Sequence, residues 1–288
     1  MTRAKFSITR EEVLELIRYR LSDPQKDVEL EATDYLEAFP SAKSTEMQAT
    51  VFPDAPVEFY ASSKDFFLDL LGMHLKLPHL LERSAMLVSL AIQTGASTFA
   101  DWGGGSGRDC IVMARTGLQA THLDVQGEGT RLAAWRYEKR GLSVKVADAL
   151  NPPAEFYDLI SNFDCLEHVE DPVTVVAQIL SRLKGGGFLV LAGDFYNFDL
   201  EKAGPHLPKN FVYGGILQMA MQKIGIKKLN GLATPWCETA LAVPVVWQKP
   251  ADVSSEFLEK ALRQGMLDLL SRFARFYEGE IARLSKIP

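Results

Sequence analysis

A doubly wound α/β fold with a mostly parallel seven-stranded sheet is what this 288-residue sequence predicts, on three observations. From Ser97 onward, short apolar runs alternate with segments of helical period, the signature of βαβ units. Four of those runs end in an acid or amide: Asp101, Asp124, Asp148 and Asn162. The first run passes into Gly103-Gly104-Gly105-Ser106-Gly107, and a helix opens at Arg108. Ligands of such sheets sit outside the carboxyl ends of the strands, so these polar tips and the glycine turn share one crevice.

The elements follow in order. Thr9-x-x-Glu12 is a capping box ahead of Val13, Leu16 and Ile17 at helical spacing, and Pro24 and Pro40 bracket a second helix. Residues 41–57, with Pro53 and Pro56, read as a loop. Phe66, Phe67, Leu70 and Leu71 predict a helix stopped near Pro78, and Leu80 to Thr94 another, closed by Gly95. Strand one is 97–102, followed by a helix over 108–116. Strand two is 120–124, with a helix over 129–139 closed by Gly141. Strand three is 144–148 and strand four 157–162. Asp171 caps the next helix, with Pro172 in its first turn and Val175, Val176, Ile179, Leu180 and Leu183 as its apolar stripe. Strand five, 188–192, is apolar on both faces, as a central parallel strand requires. A helix over 211–223 leads to two strands, near 226–232 and 239–247, close enough for an antiparallel hairpin. Residues 254–284 form a long amphipathic helix whose weak point is Gly265. The chain thus divides into a helical extension over 1–79, a ligand-binding α/β domain over 80–250 and a C-terminal helix over 251–288.

Composition removes several function classes. Hydrophobic content of 47% and charged content of 24% are those of an ordinary globular protein. The net charge is −6 and no basic run occurs, so the electrostatic grip needed for nucleic acid is not expected. No signal core is seen at the N-terminus and no apolar run approaches ~18 residues, so neither secretion nor membrane spanning is expected, and a cytoplasmic location is. Cys110, Cys165 and Cys237 have no CxxC spacing and fit reduced thiols. No metal site suggests itself, because the histidines are scattered and none pairs with a cysteine at ligand spacing.

Three kinds of glycine cradle must be told apart. A phosphate loop ends in Gly-Lys-Ser/Thr, and no Gly-Lys follows here. The dinucleotide fingerprint needs a third small residue five positions after its first glycine, where this chain has Arg108 or Cys110. The third pattern, Asp-x-Gly-x-Gly-x-Gly, is met by Asp101, Gly103, Gly105 and Gly107, and it resembles motif I of the Rossmann-like (class I) S-adenosylmethionine-dependent methyltransferases. The resemblance extends across roughly 97–248. Tyr157 to Pro172 resembles the strand-four signature, in which Leu166-Glu167-His168 precedes an Asp-Pro helix start. Leu183-Lys184-Gly185-Gly186-Gly187 is similar to the Leu-Lys-Pro-Gly-Gly turn, with Gly185 where the proline would stand.

The resemblance implies S-adenosylmethionine as cofactor and a role for each matching residue. Gly103, Gly105 and Gly107 approach the methionine portion, with Asp101 orienting that region. Asp124, seventeen residues after Gly107 (124 − 107), takes the ribose diol. Asp148 and Ala149 meet the adenine, and Asn162 and Phe163 line the wall near the sulfonium. His168 is the candidate general base, weighed against a structural helix-entry histidine. Asp194 and Tyr196, after strand five, and Tyr60, ahead of the sheet, are the candidate substrate residues. The expected acceptor is a small organic molecule, through oxygen or nitrogen rather than carbon, and the C-terminal helix packs on the N-terminal helices or on a second subunit, making a homodimer. Two other readings remain open from sequence alone: an NAD(P)-dependent oxidoreductase and a non-catalytic cofactor-binding or scaffolding protein.

Overall fold

A computed structural model describes residues 56–63, 66–67, 70, 79–193, 195, 206–207, 210, 213–229 and 244–284. Helix α1 (Pro56–Ser62) and helix α2 (His79–Thr94) precede the sheet. Then follow β1 (Thr98–Trp102), α3 (Arg108–Arg115), β2 (Gln119–Asp124), α4 (Glu128–Lys139), β3 (Val144–Asp148) and β4 (Tyr157–Phe163). After a single 3-10 turn (Leu166–His168) come α5 (Pro172–Arg182), β5 (Leu183–Ala192), α6 (Tyr213–Lys223), β6 (Lys227–Lys228), β7 (Val245–Gln248) and α7 (Ser255–Leu284).

The strands form one seven-stranded sheet in the order β3-β2-β1-β4-β5-β7-β6. The β1·β2, β1·β4, β2·β3 and β4·β5 pairings are parallel, whereas β7 runs antiparallel to both β5 and β6. The strand order reverses between β1 and β4, so their carboxyl ends flank the crevice. This is the class I Rossmann-like sheet that the sequence predicts.

Two cores cover the two faces, and alternation along β1 divides them. Phe99 faces a cluster with Leu87 and Met113, from α2 and α3, whereas Ala100 and Trp102 face a cluster with α5, α6 and α7. Val176, Ile179 and Leu180 of α5 are fully buried, each stabilising the fold by about 1.5–3 kcal/mol at most. Asp171 caps α5 by accepting the Thr174 N–H at 3.0 Å. The helix passes directly into β5, and the buried Lys249 ammonium donates to the carbonyls of Leu180 and Leu183 at 2.9 and 2.8 Å, meeting the negative end of α5.

Three boundaries differ from the sequence reading. Pro56 begins a helix instead of ending a loop; a proline lacks the N–H that a first turn leaves unused anyway. Strand β5 starts at Leu183, because Lys184–Gly187 extends into the sheet and Gly186 N donates to Lys249 O at 3.0 Å. Helix α7 runs unbroken through Gly265, which packs 3.8 Å from the Ala220 methyl measured at its would-be Cβ. The helices expected over 1–40 lie outside the described residues. Among the described residues, no helix is long and apolar enough to cross a membrane.

Candidate functional site

The glycine turn is held by geometry that other residues cannot adopt. Gly103 and Gly107 have φ of +77° and +81°. A Cβ on Gly103 would stand 2.5 Å from Cys165 Sγ, and one on Gly107 2.2 Å from the Tyr137 hydroxyl. Both positions thus demand glycine for conformation and for space. The Gly103 N–H donates back to Leu123 O at 2.7 Å, so the turn is pinned across the tip of β2.

Beside it lies a cavity of about 380 Å³, inside the roughly 300–1,000 Å³ that small-molecule sites occupy. Asp124 stands at its edge with both oxygens partly used: Gly105 N–H donates to Oδ2 and Val125 N–H to Oδ1, each at 2.7 Å. Each carboxylate oxygen has a second lone pair, and a vicinal diol matches two such acceptors. Burial pushes the Asp124 carboxyl up to about 6, against the pull of those two N–H groups. Burial likewise raises the Asp101 carboxyl, while a 2.7 Å hydrogen bond from Ser161 Oγ favours its charged form.

The expected site residues divide into those that meet at this cavity and those that do not. Asp101, Gly103, Gly105, Asp124, Ala149, Phe163, His168 and Tyr60 all line it. Gly107, Asp148 and Asn162 do not. Gly107 is the N-cap of α3. Asp148 accepts the Leu150 N–H at 2.9 Å, forming the turn that presents Ala149 and Leu150 to the cavity. Asn162 is fully buried and gives its amide to Trp102 O at 2.8 Å, locking the ends of β4 and β1 together. Asp194 and Tyr196 lie outside the described residues.

Another part of the cavity wall comes from remote segments. Tyr60 of α1 meets the His168 ring edge-to-face, with centroids 5.6 Å apart. Its hydroxyl is buried and makes no hydrogen bond among the described residues, and burial raises its pKa, so it stays a donor. Helix α1 reaches this position because residue 127 is glycine: a Cβ there would lie 2.1 Å from Ala61 O.

Sequence reasoning missed Arg83 and, while placing Asp164 at the polar tip of strand four, gave it no role of its own. Arg83 lines the cavity, pairs with the Asp164 carboxylate and lies 5.4 Å above the centre of the Phe163 ring. Asp164 has φ +47°, the one positive value at a non-glycine among the described residues. Such strain persists only where the surroundings fix it, often at ligand sites. A signal for Arg83 was present: an arginine in a helix whose next residues, Ala85 to Val88, are all buried. Six carboxylates (Asp101, Asp109, Asp124, Asp164, Glu170, Asp171) against two guanidiniums (Arg83, Arg108) line the cavity, which suits a cationic ligand.

These residues fit S-adenosylmethionine: glycine backbone at one end, a diol-matching carboxylate at the edge, and an acid-rich wall. Comparisons with known proteins agree. The family pattern described as "Methyltransferase domain" matches residues 74–223. The ubiquinone biosynthesis O-methyltransferase of Xanthomonas axonopodis pv. citri is 28% identical over 171 residues, covering 52% of this chain and 72% of that protein. Its counterpart in Parvibaculum lavamentivorans is 31% identical over 98 residues, covering 33% and 39%. Among solved structures, an O-methyltransferase family protein from Burkholderia thailandensis superposes with a TM-score of 0.49 at 14% identity, over 78% of this chain and 70% of that one. With motif I folded as its pattern requires and the family match spanning the sheet's first five strands, this chain belongs to the class I S-adenosylmethionine-dependent methyltransferases.

Proposed function

We propose that this enzyme methylates an oxygen of a small hydroxylated organic molecule. The observation that carries this is the largely apolar stretch of cavity wall built from Val57, Tyr60, Phe66 and Val169, with His168 as its imidazole. The curated relatives named above, called O-methyltransferases, support oxygen over nitrogen.

When bound, S-adenosylmethionine supplies a methyl group on a cationic sulfur. Asp124 holds the ribose diol, and Ala149 with Leu150 covers the adenine. Gly103 and Gly105 let the backbone approach the methionine end. Arg83 and Asp164 offer a matched pair of charges for that end's carboxylate and ammonium, a role supported by the buried Arg83 Nε, which makes no hydrogen bond among the described residues. Tyr60 donates to the acceptor and closes the cavity against water. Transfer needs the acceptor oxygen about 3–3.5 Å from the methyl carbon and in line with its bond, so positioning is the protein's main contribution. The acceptor's hydroxyl proton must leave, and His168 lines the cavity at that end.

The test is a screen of the purified chain with small phenols, catechols and amines as acceptors, scored by S-adenosylhomocysteine release. Turnover with hydroxylated acceptors and none with amines is expected. Turnover with amines alone would overturn the reading.

A further inference from the structure

We propose that Glu167, His168 and His206 form a divalent-cation site at the acceptor end of the cavity. Sequence spacing gave no hint of it, since His206 lies 38 positions beyond His168 (206 − 168). Folding brings one ligand atom from each of the three to within 4.8 Å of one another. The two imidazole rings have centroids 4.6 Å apart and cross at 74°, so they are not stacked. Around an ion with bonds of 2.0–2.1 Å, tetrahedral ligand atoms lie about 3.4 Å apart, which small side-chain rotations reach from here.

The frame around the three residues is built. Glu167 and His168 share one 3-10 turn, and Leu207 N–H donates to Glu167 O at 2.9 Å, fastening the His206 segment to that turn. The fully buried Asn210 amide donates to the carbonyls of Leu166, Glu167 and Val169 at 3.2, 3.1 and 2.8 Å. Such outer contacts hold ligands in position. Glu167 is 1% exposed, and Gly193 leaves room for it: a Cβ there would stand 2.9 Å from Glu167 Oε2. Glu170 and Asp171, at the same end of the cavity, add negative potential.

Two imidazoles and one carboxylate select a borderline ion such as Zn²⁺ or Co²⁺, leaving open positions; Mg²⁺ prefers an all-oxygen shell. Because His168 lines the cavity, the ion borders the acceptor. Its role rests on the O-methylation reading above. A hydroxyl oxygen entering an open position gives its proton to water at lower pH than it would alone. That oxygen's electron pair forms the new O–CH3 bond as the S–CH3 bond breaks, and the sulfur leaves as an uncharged thioether. No oxidant or reductant is needed, and His168 serves as ligand in place of base.

The test uses the full chain stripped with a chelator. It is titrated with Zn²⁺ by calorimetry, with Co²⁺ by visible absorption, and separately with S-adenosylhomocysteine. One ion per chain is expected. His206→Gln should weaken uptake by more than the roughly 10–100-fold that losing an outer contact costs. It should shift S-adenosylhomocysteine affinity by less than about twofold, since His206 does not line the cavity. His206→Gln is preferred to Glu167→Gln because Glu167 is buried and its replacement risks unfolding; circular dichroism checks the fold. No stoichiometric uptake by the wild type, or undiminished uptake by His206→Gln, overturns the site. Cofactor binding without ion uptake overturns the cation alone, and ion uptake with turnover of amines alone overturns the O-methylation reading alone.

Discussion

The two ends of the cavity are built in different ways. At the cofactor end, Asp101, Asp124 and Ala149 sit at or just beyond the tips of neighbouring parallel strands, and Gly105 binds Asp124 directly through its N–H. Every group there is within a few residues of a strand end, so the sheet itself sets the geometry. At the proposed acceptor end, Tyr60 comes from α1, Arg83 from α2, His168 from the turn after β4, and His206 and Asn210 behind it from a segment some 40 residues later. That end exists only because remote pieces converge. A rigid end suits a constant ligand, and an end assembled from connecting segments suits one that varies between proteins.

Four experiments sharpen or break this contrast. Asp124→Ala should have the largest effect, weakening S-adenosylhomocysteine binding about a hundredfold, about 3 kcal/mol, because both ribose hydroxyls lose a charged acceptor. Unchanged affinity in a folded variant would remove Asp124 from the cofactor end. Gly107→Ala comes next. It forces a Cβ into the left-handed region and into the Tyr137 hydroxyl, so the fold should lose roughly 2 kcal/mol, read from the urea midpoint. A neutral result would mean that the turn tolerates side chains and is less rigid than the contrast requires.

The third experiment is a pH profile. On the proposed reading the ionised Asp124 accepts the diol, and burial raises its carboxyl to about 6. Cofactor affinity should therefore be full above that value and fall up to tenfold by about pH 5, equivalent to about 1.4 kcal/mol. For folding the sign is opposite. A carboxyl raised above its ordinary value binds its proton more tightly in the folded state, so its contribution to stability declines as pH rises from about 4 to about 6. Asp101, also raised by burial, faces the same region, so Asp124→Asn is the control. A profile that survives this substitution assigns the titration to Asp101.

Tyr60→Phe should give the smallest effect. Losing one hydroxyl at the acceptor end should raise the acceptor's KM severalfold, roughly 1 kcal/mol, and leave S-adenosylhomocysteine affinity within about twofold. A larger loss of cofactor affinity than of acceptor affinity would move Tyr60 to the other end and dissolve the contrast.

Legibility in the sequence follows the same division. Periodicity and capping located the strands and α5, because burial on two faces imposes period and composition on a central strand wherever it occurs. The mostly parallel sheet and the antiparallel pairing of the last two strands were likewise expected, and motif I identified the turn by glycines that no other residue can replace. The fine assignment of Asn162 and Asp148 was less legible. A polar residue at a strand tip reads alike whether it faces a ligand or, as Asn162 does, ties two strands together through Trp102 O. The helix at Pro56 was hidden by a loop-like composition, and its position depends on contact with Gly127.

The sequence by itself determined the α/β class, the glycine turn, the acids at the tips of β1 and β2 and, through the resemblance of that turn to motif I, the cofactor. These are local properties, set by backbone conformation and by side chains within a few residues of each other. Only the tertiary structure decided the Arg83–Asp164 pair over Phe163, the reach of α1 to His168, and the meeting of Glu167, His168 and His206. Each joins segments whose separation along the chain leaves no periodic or spacing signal, because packing, not local propensity, brings them together.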